Sequence, residues 1–180
     1  MGEYVSASIE IGGHLETIAE AEIFIEALLR QVITFNETDD KITCTENGQT
    51  ALRTVIELGK VFRGYDHQVN YGNFDEIDAI APYLPKLWFS TSYGAGGDFS
   101  SGIKTFIEGE EYRCTTADGE PVVSLDELEL AVNGNDPDTI AYETIRIVSR
   151  TKREAGKGLP PLTASPAVCA WLKIFGDVVA

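Results

Sequence analysis

The stretch YDHQVNYGNFDEIDAI, residues 65–80, sets an aspartate beside one of only two histidines, with Asp75, Glu76 and Asp78 close behind. Imidazole and carboxylate side chains are common metal ligands and common general acids and bases, so this is the first place to look for chemistry. A zinc site wants several His or Cys at set spacing, and the chain contains no HxxxH, HExxH or CxxC. Asp66 and His67 are neighbours in a stretch that reads as a strand, so their side chains leave on opposite faces and oppose joint ligation. No GxSxG frames a serine nucleophile. The glycines of YGAGGDFSSGIK are not followed by the Lys-Ser/Thr pair of a phosphate loop. NGNDPDTIAYE has acids but not the spacing of a calcium loop. With 29 acids in the chain, a glycosidase-like carboxylate pair arises by chance and carries no information. These patterns predict no catalytic residue, no metal ligand and no cofactor.

The same carboxylates have a plainer use. Asn73 stands three residues before Glu76, a capping-box spacing, and Phe74, Ile77, Ile80 and Ala81 form an apolar stripe that Pro82 and Pro85 end. Residues 65–80 therefore read as a strand, a turn at Tyr71-Gly72 and a capped helix whose dipole favours Asp75 and Glu76 in its first turn.

The rest of the 180-residue chain supplies the frame. Val5, Ala7, Ile9 and Ile11 alternate with Ser6, Ser8 and Glu10, which predicts a half-buried strand ended by Gly12-Gly13. From Leu15 to Ile33 the period becomes helical, with Ile18, Ala21, Ile25, Leu28, Leu29 and Val32 on one face. A polar stretch follows, then a helix over 49–58 stopped by Gly59, a strand over 60–69, a strand KLWFSTSY and a glycine-rich loop. Two strands in GIKTFIEGEEYRCTT join at a tight turn over Glu108 to Glu110. Two helices are expected within 124–155, the first capped by Ser124 and the second opened by Asp136-Pro137. LPPLTASP reads as a linker, and Val168, Trp171, Leu172 and Phe175 as the stripe of a short terminal helix. The fold class expected is α+β, a mostly antiparallel sheet with helices packed on one face. The expected division is an acidic α+β domain over 1–158 and a linker with a short apolar helix over 159–180. That helix docks on the domain or on a second copy, which would make a homodimer.

Charge is the unusual property. The chain holds 29 acids and 14 bases, a formal net charge of −15. Residues 1–145 carry 27 of the acids and only 8 of the bases. Such a chain repels nucleic acid and anionic lipid and favours basic partners. On the first long helix Glu16/Glu20 and Glu22/Glu26 are like-charge pairs four residues apart, offset only by Arg30 after Glu26. Asp39, Asp40, Glu108, Glu110 and Glu111 add more acid. Carboxylates spread over a rigid scaffold imitate a phosphate backbone, so these nine positions are the candidate interaction surface. The three cysteines are widely spaced and read as free thiols of a cytoplasmic protein. The N-terminus lacks a signal-peptide pattern, and AVCAWLKIFGDVVA is too short and too charged to span a membrane.

Three stretches, YVSASIEIGG, YDHQVNYGNFDEIDAI and TTADGEPVVSLDELELAV, together resemble a group of uncharacterised proteins from bacteria, their phages and mobile elements. The resemblance covers most of residues 4–132 and leaves out 35–58 and the tail after Pro160. It implies an accessory protein that travels with mobile DNA, and it transfers no catalytic residue. Charge and resemblance together lead to an expectation of a non-enzymatic, cytoplasmic protein that inhibits a host nucleic-acid-handling machine, such as a CRISPR effector, through its acidic surface. The alternatives are a binding module whose acidity serves only solubility, and a carboxylate-based hydrolase.

Overall fold

A computed structural model describes residues 4–70, 73–96, 100–117, 120–122 and 158–174, with the single positions 129, 139, 140 and 142. In chain order the described elements are β1 (Tyr4–Leu15), α1 (Ile18–Gln31), β2 (Thr34–Phe35), β3 (Asp40–Lys41), α2 (Thr45–Leu58), β4 (Phe62–Asn70) and α3 (Asp75–Ile80). After a 3₁₀ turn at Ala81–Tyr83 come β5 (Leu87–Tyr93), β6 (Gly102–Ile107), β7 (Glu110–Ala117), β8 (Glu120–Val122), β9 (Leu162–Ala164) and α4 (Pro166–Ile174). The fold is α+β, as the sequence pattern predicts. The nine described strands form one sheet in the order β3-β2-β4-β1-β5-β6-β7-β8, with β9 joined to β1. Every pairing is antiparallel except β1 with β9.

The described helices gather on one face of this sheet, called here the inner face. Ala7, Ile9 and Ile11 of β1 point into the core with Phe62 of β4 and Phe89 of β5, while Ser6 and Ser8 point outward. Phe24 of α1 meets Phe62 and Phe89 edge-on, with ring centroids 6.0 and 6.3 Å away. All three rings are buried, and each is worth about 1.5–3 kcal/mol on removal from water. Thr17 caps α1 by accepting from the Glu20 N–H, and Glu20 returns the contact to the Thr17 N–H, a complete capping box. The helix ends at Val32, which takes a left-handed conformation and stays exposed, so it does not join the buried stripe expected of it.

Several sequence expectations need correction. Strand β1 does not stop at Gly12-Gly13 but runs to Leu15. A Cβ on Gly12 would sit 1.9 Å from the Pro160 carbonyl oxygen, and Gly13 has φ +109. The glycines are there to let other backbone come close. The polar stretch after α1 contains the small β2–β3 hairpin, and α2 begins at Thr45 rather than Gln49. The N-cap of α3 is Phe74, with no side-chain cap, so Asn73 does not cap it. The expected linker holds β9, which takes over beside β1 where β4 leaves off, pairing Gly13 with Leu162 and Leu15 with Ala164. The Leu162 N–H donates to the Lys60 carbonyl. Helix α4 then packs on α1 and α2, burying Val168 and Leu172 within the chain. The turn at Tyr71-Gly72, Phe175 and most of the two helices expected within 124–155 lie outside the described residues. Positions 129, 139, 140 and 142 are helical.

Because residues 158–174 share the main core, weakening their seat should destabilise the whole fold. Leu162→Ala should cost about 2–5 kcal/mol. Gly12→Ala, which drives a methyl group into the Pro160 carbonyl, should cost about 1–3 kcal/mol or more. Urea denaturation followed by circular dichroism reads both, and midpoints equal to that of the parent would refute the docking.

Candidate functional site

The structure disperses the nine acidic candidates instead of gathering them. Asp39 and Asp40 sit at the β2–β3 edge of the sheet, while Glu108, Glu110 and Glu111 sit at the β6–β7 turn, several strands away. Glu16 and Glu20 lie at the start of α1, near Lys86, and Glu22 and Glu26 lie further along that helix.

Most of these acids already have local work. Glu20 accepts from the Glu16 and Thr17 N–H groups at 2.7 and 3.1 Å. Glu16 accepts from Lys86 Nζ at 2.9 Å, and this contact holds its carboxyl below the usual carboxylate range. Glu26 and Glu76 share Arg30, and Glu111 pairs with Arg113. Asp39 accepts the Tyr65 hydroxyl, which holds that phenol above its ordinary value. Among the described residues Glu22, Asp40 and Glu108 make no ion pair, and Glu108 also takes a left-handed backbone at the turn. Arg30, Arg63, Lys86, Lys104 and Arg113 are each tied to a carboxylate. Lys41, Arg53, Lys60 and Lys173, also among the described residues, join no ion pair, and acids still outnumber bases by 29 to 14 over the chain.

A second feature was not legible in the sequence. Lys104 of β6 points to the inner face and is 1% exposed. Its ammonium donates to Asn73 Oδ1 at 2.9 Å and forms a buried ion pair with Asp78 of α3. Asn73 and Asp78, expected to serve only α3, therefore bind that short helix to the sheet through one lysine. Burial pushes the Asp78 carboxyl above the usual carboxylate range, more than the Lys104 charge beside it draws it down.

The third feature is a groove of about 490 Å³ on the outer face, formed where β4, β1, β5 and β6 lie side by side. His67, the histidine of the opening stretch, lines it. His67 Nδ1 lies 3.2 Å from Ser6 Oγ, and Ser8 Oγ lies 2.9 Å from Ser92 Oγ. The Tyr65 and His67 rings stand side by side, 4.8 Å between centroids. Asp66 leaves the strand away from His67, and its carboxylate accepts from the Gln68 N–H at 2.9 Å. Alternation puts Ser6 and Ser8 of β1 on one face, register sets Ser92 of β5 beside Ser8, and the serine alternation in both VSASI and FSTSY was the available signal. The other histidine, His14, contacts Thr163 at 2.9 Å and lies at the β1–β9 junction. Among the described residues no group of three or more His, Cys, Asp or Glu is placed to hold a metal ion. No helix among them is long and apolar enough to cross a membrane. No protein-family model matches the chain, and no curated protein or solved structure matches it significantly.

The Lys104 pair makes a sharp stability prediction. Lys104→Met should strand a mostly buried carboxylate, and breaking such a pair costs about 3–5 kcal/mol. Asp78 keeps a side-chain exposure of 20%, so the lower end of that range applies. Adding Asp78→Leu should recover much of the loss, because no charge then remains uncompensated. Chemical denaturation of the two variants decides it, and a double variant no more stable than Lys104→Met would refute the account.

Proposed function

We propose that this chain is an acidic, non-catalytic interaction protein that docks on a basic protein surface in a cytoplasm. The observation that carries the reading is the charge pattern. Five described bases, Arg30, Arg63, Lys86, Lys104 and Arg113, are held in local ion pairs, while Glu22, Asp40 and Glu108 stay unpaired on a chain of net charge −15. The field beyond the surface is therefore negative, and it steers basic partners while opposing nucleic acid and anionic lipid. The resemblance of three sequence stretches to proteins of phages and mobile elements supports a narrower form of the proposal. In that form the partner is a nucleic-acid-binding effector of the host, and the chain occupies its groove in place of a phosphate backbone. The separation of the acids onto one sheet edge, one turn and one helix favours a broad, shallow contact over a single pocket. Steering and steric occupation then suffice, and no bond is made or broken.

Glu22→Gln, Asp40→Asn and Glu108→Gln together test this, because none of the three residues anchors an ion pair. The triple variant should keep the parent's melting temperature within a few degrees. Its association with a nucleic-acid-binding protein captured from bacterial lysate should slow at least threefold. Association of the parent should fall steeply as salt approaches 0.15 M, where charges are screened beyond about 8 Å. Equal association rates for parent and variant would sink the proposal, as would failure of the parent to displace DNA or RNA from the captured protein.

A further inference from the structure

The outer-face groove is chemically unlike the rest of this molecule. Charged residues make up 24% of the chain, yet none of the described lining residues is Lys, Arg, Asp or Glu. The lining instead offers the hydroxyls of Ser6, Ser8 and Ser92, with Ser101 and Thr116 further along and the Tyr65 and His67 rings on one side. Anions find no fixed cation there and meet a strongly negative chain. Cations find no carboxylate among the described lining residues. A purely apolar ligand would bury the hydroxyls without replacing their bonds to water. What remains is a neutral ligand rich in hydroxyls that also has a C–H face to lay on an aromatic ring.

The geometry suits such a ligand in three ways. First, the polar groups are held in place before anything binds. Ser8 is paired with Ser92 at 2.9 Å and Ser6 with His67 at 3.2 Å, and Ser101 Oγ accepts from the Thr116 hydroxyl at 2.9 Å. A hydroxyl has one proton and two lone pairs, so each paired serine keeps capacity for a further hydrogen bond. Second, neighbouring strands about 4.8 Å apart and alternate residues about 6.7 Å apart set the serines out as a two-dimensional array. An array of this kind meets several hydroxyls of one ring at once. Third, about 490 Å³ falls within the range of roughly 300–1,000 Å³ usual for small-molecule sites and admits one or two sugar rings. We propose that this groove is a binding site for a neutral saccharide, distinct from the acidic surface and independent of it.

Titration of the ¹⁵N-labelled protein with maltose, cellobiose, N,N′-diacetylchitobiose and glucose 6-phosphate tests this by amide shifts. At least one neutral disaccharide, at tens of millimolar, should give saturable shifts centred on Ser6, Ser8, Ser92, Gly94 and Gly102. Ser92→Phe, which fills the groove, should abolish them. Ser8→Ala should weaken binding about fivefold, the equivalent of one net hydrogen bond of about 1 kcal/mol. A spectrum otherwise unchanged establishes that each variant is folded, and Ser8→Ala alone suffices where Ser92→Phe is not. Shifts from none of the three neutral sugars would overturn the proposal. So would shifts that survive a folded Ser92→Phe, or tighter binding of glucose 6-phosphate than of every neutral sugar. The acidic-surface reading is untouched by any of these results.

Discussion

Strand β1 is the constraint on which the rest of the structure depends. It is flanked by β4 and β5 and joined at its end by β9. Its alternation therefore sets what each neighbour must present. Ala7, Ile9 and Ile11 oblige β4 and β5 to bring Phe62 and Phe89 to the same side, and α1 covers them with Phe24. A slip of one residue would turn every one of these side chains to water. The two glycines near its end extend this control. They admit backbone from residues 86 and 160 at distances that no side chain would permit, so the last described segment is fixed by the first.

Charge in this molecule works at two ranges. At short range the acids stabilise individual elements, as Glu20 does at the start of α1 and Glu16 does with Lys86. Exposed pairs of that kind contribute little each. The Lys104–Asp78 pair differs because its lysine is buried, and it positions α3 more than it strengthens the fold. At long range only the sum matters, and each local pairing consumes a base that the chain can scarcely spare. Local satisfaction and a negative far field are thus compatible.

The elements with a strong period were legible in advance. VSASIEI gave β1, the stripe from Ile18 to Leu28 gave α1, and Gly59 marked the end of α2. What escaped reading had no local signature. Two-residue strands such as β2 and β3 carry no periodicity, and β9 lies in a proline-rich stretch whose partner is far away in sequence. Asn73 fitted a capping box equally well, but the chain gives it to Lys104, which lies 31 positions further on. The acidic candidates were visible as residue types, yet the distance between the β2–β3 edge and the β6–β7 turn follows from strand order. The groove was hidden for the same reason, because Ser92 lies far along the chain from Ser6 and Ser8 and only register brings it beside them.

The pairing of β1 with β9 has a consequence for how the molecule is made. Gly13 and Leu162 are about 150 residues apart, and contacts between such distant positions form late because the intervening loop must first be closed. On the ribosome, β1 emerges well before its parallel partner. Until that partner arrives, the surfaces of α1 and α2 that α4 covers, and the edge of β1 beyond Ile11, stand open to solvent. Exposed apolar surface and an unpaired strand edge are what chaperones hold and what aggregation exploits. A net charge far from zero, most of it carried by residues 1–145, opposes association between such chains.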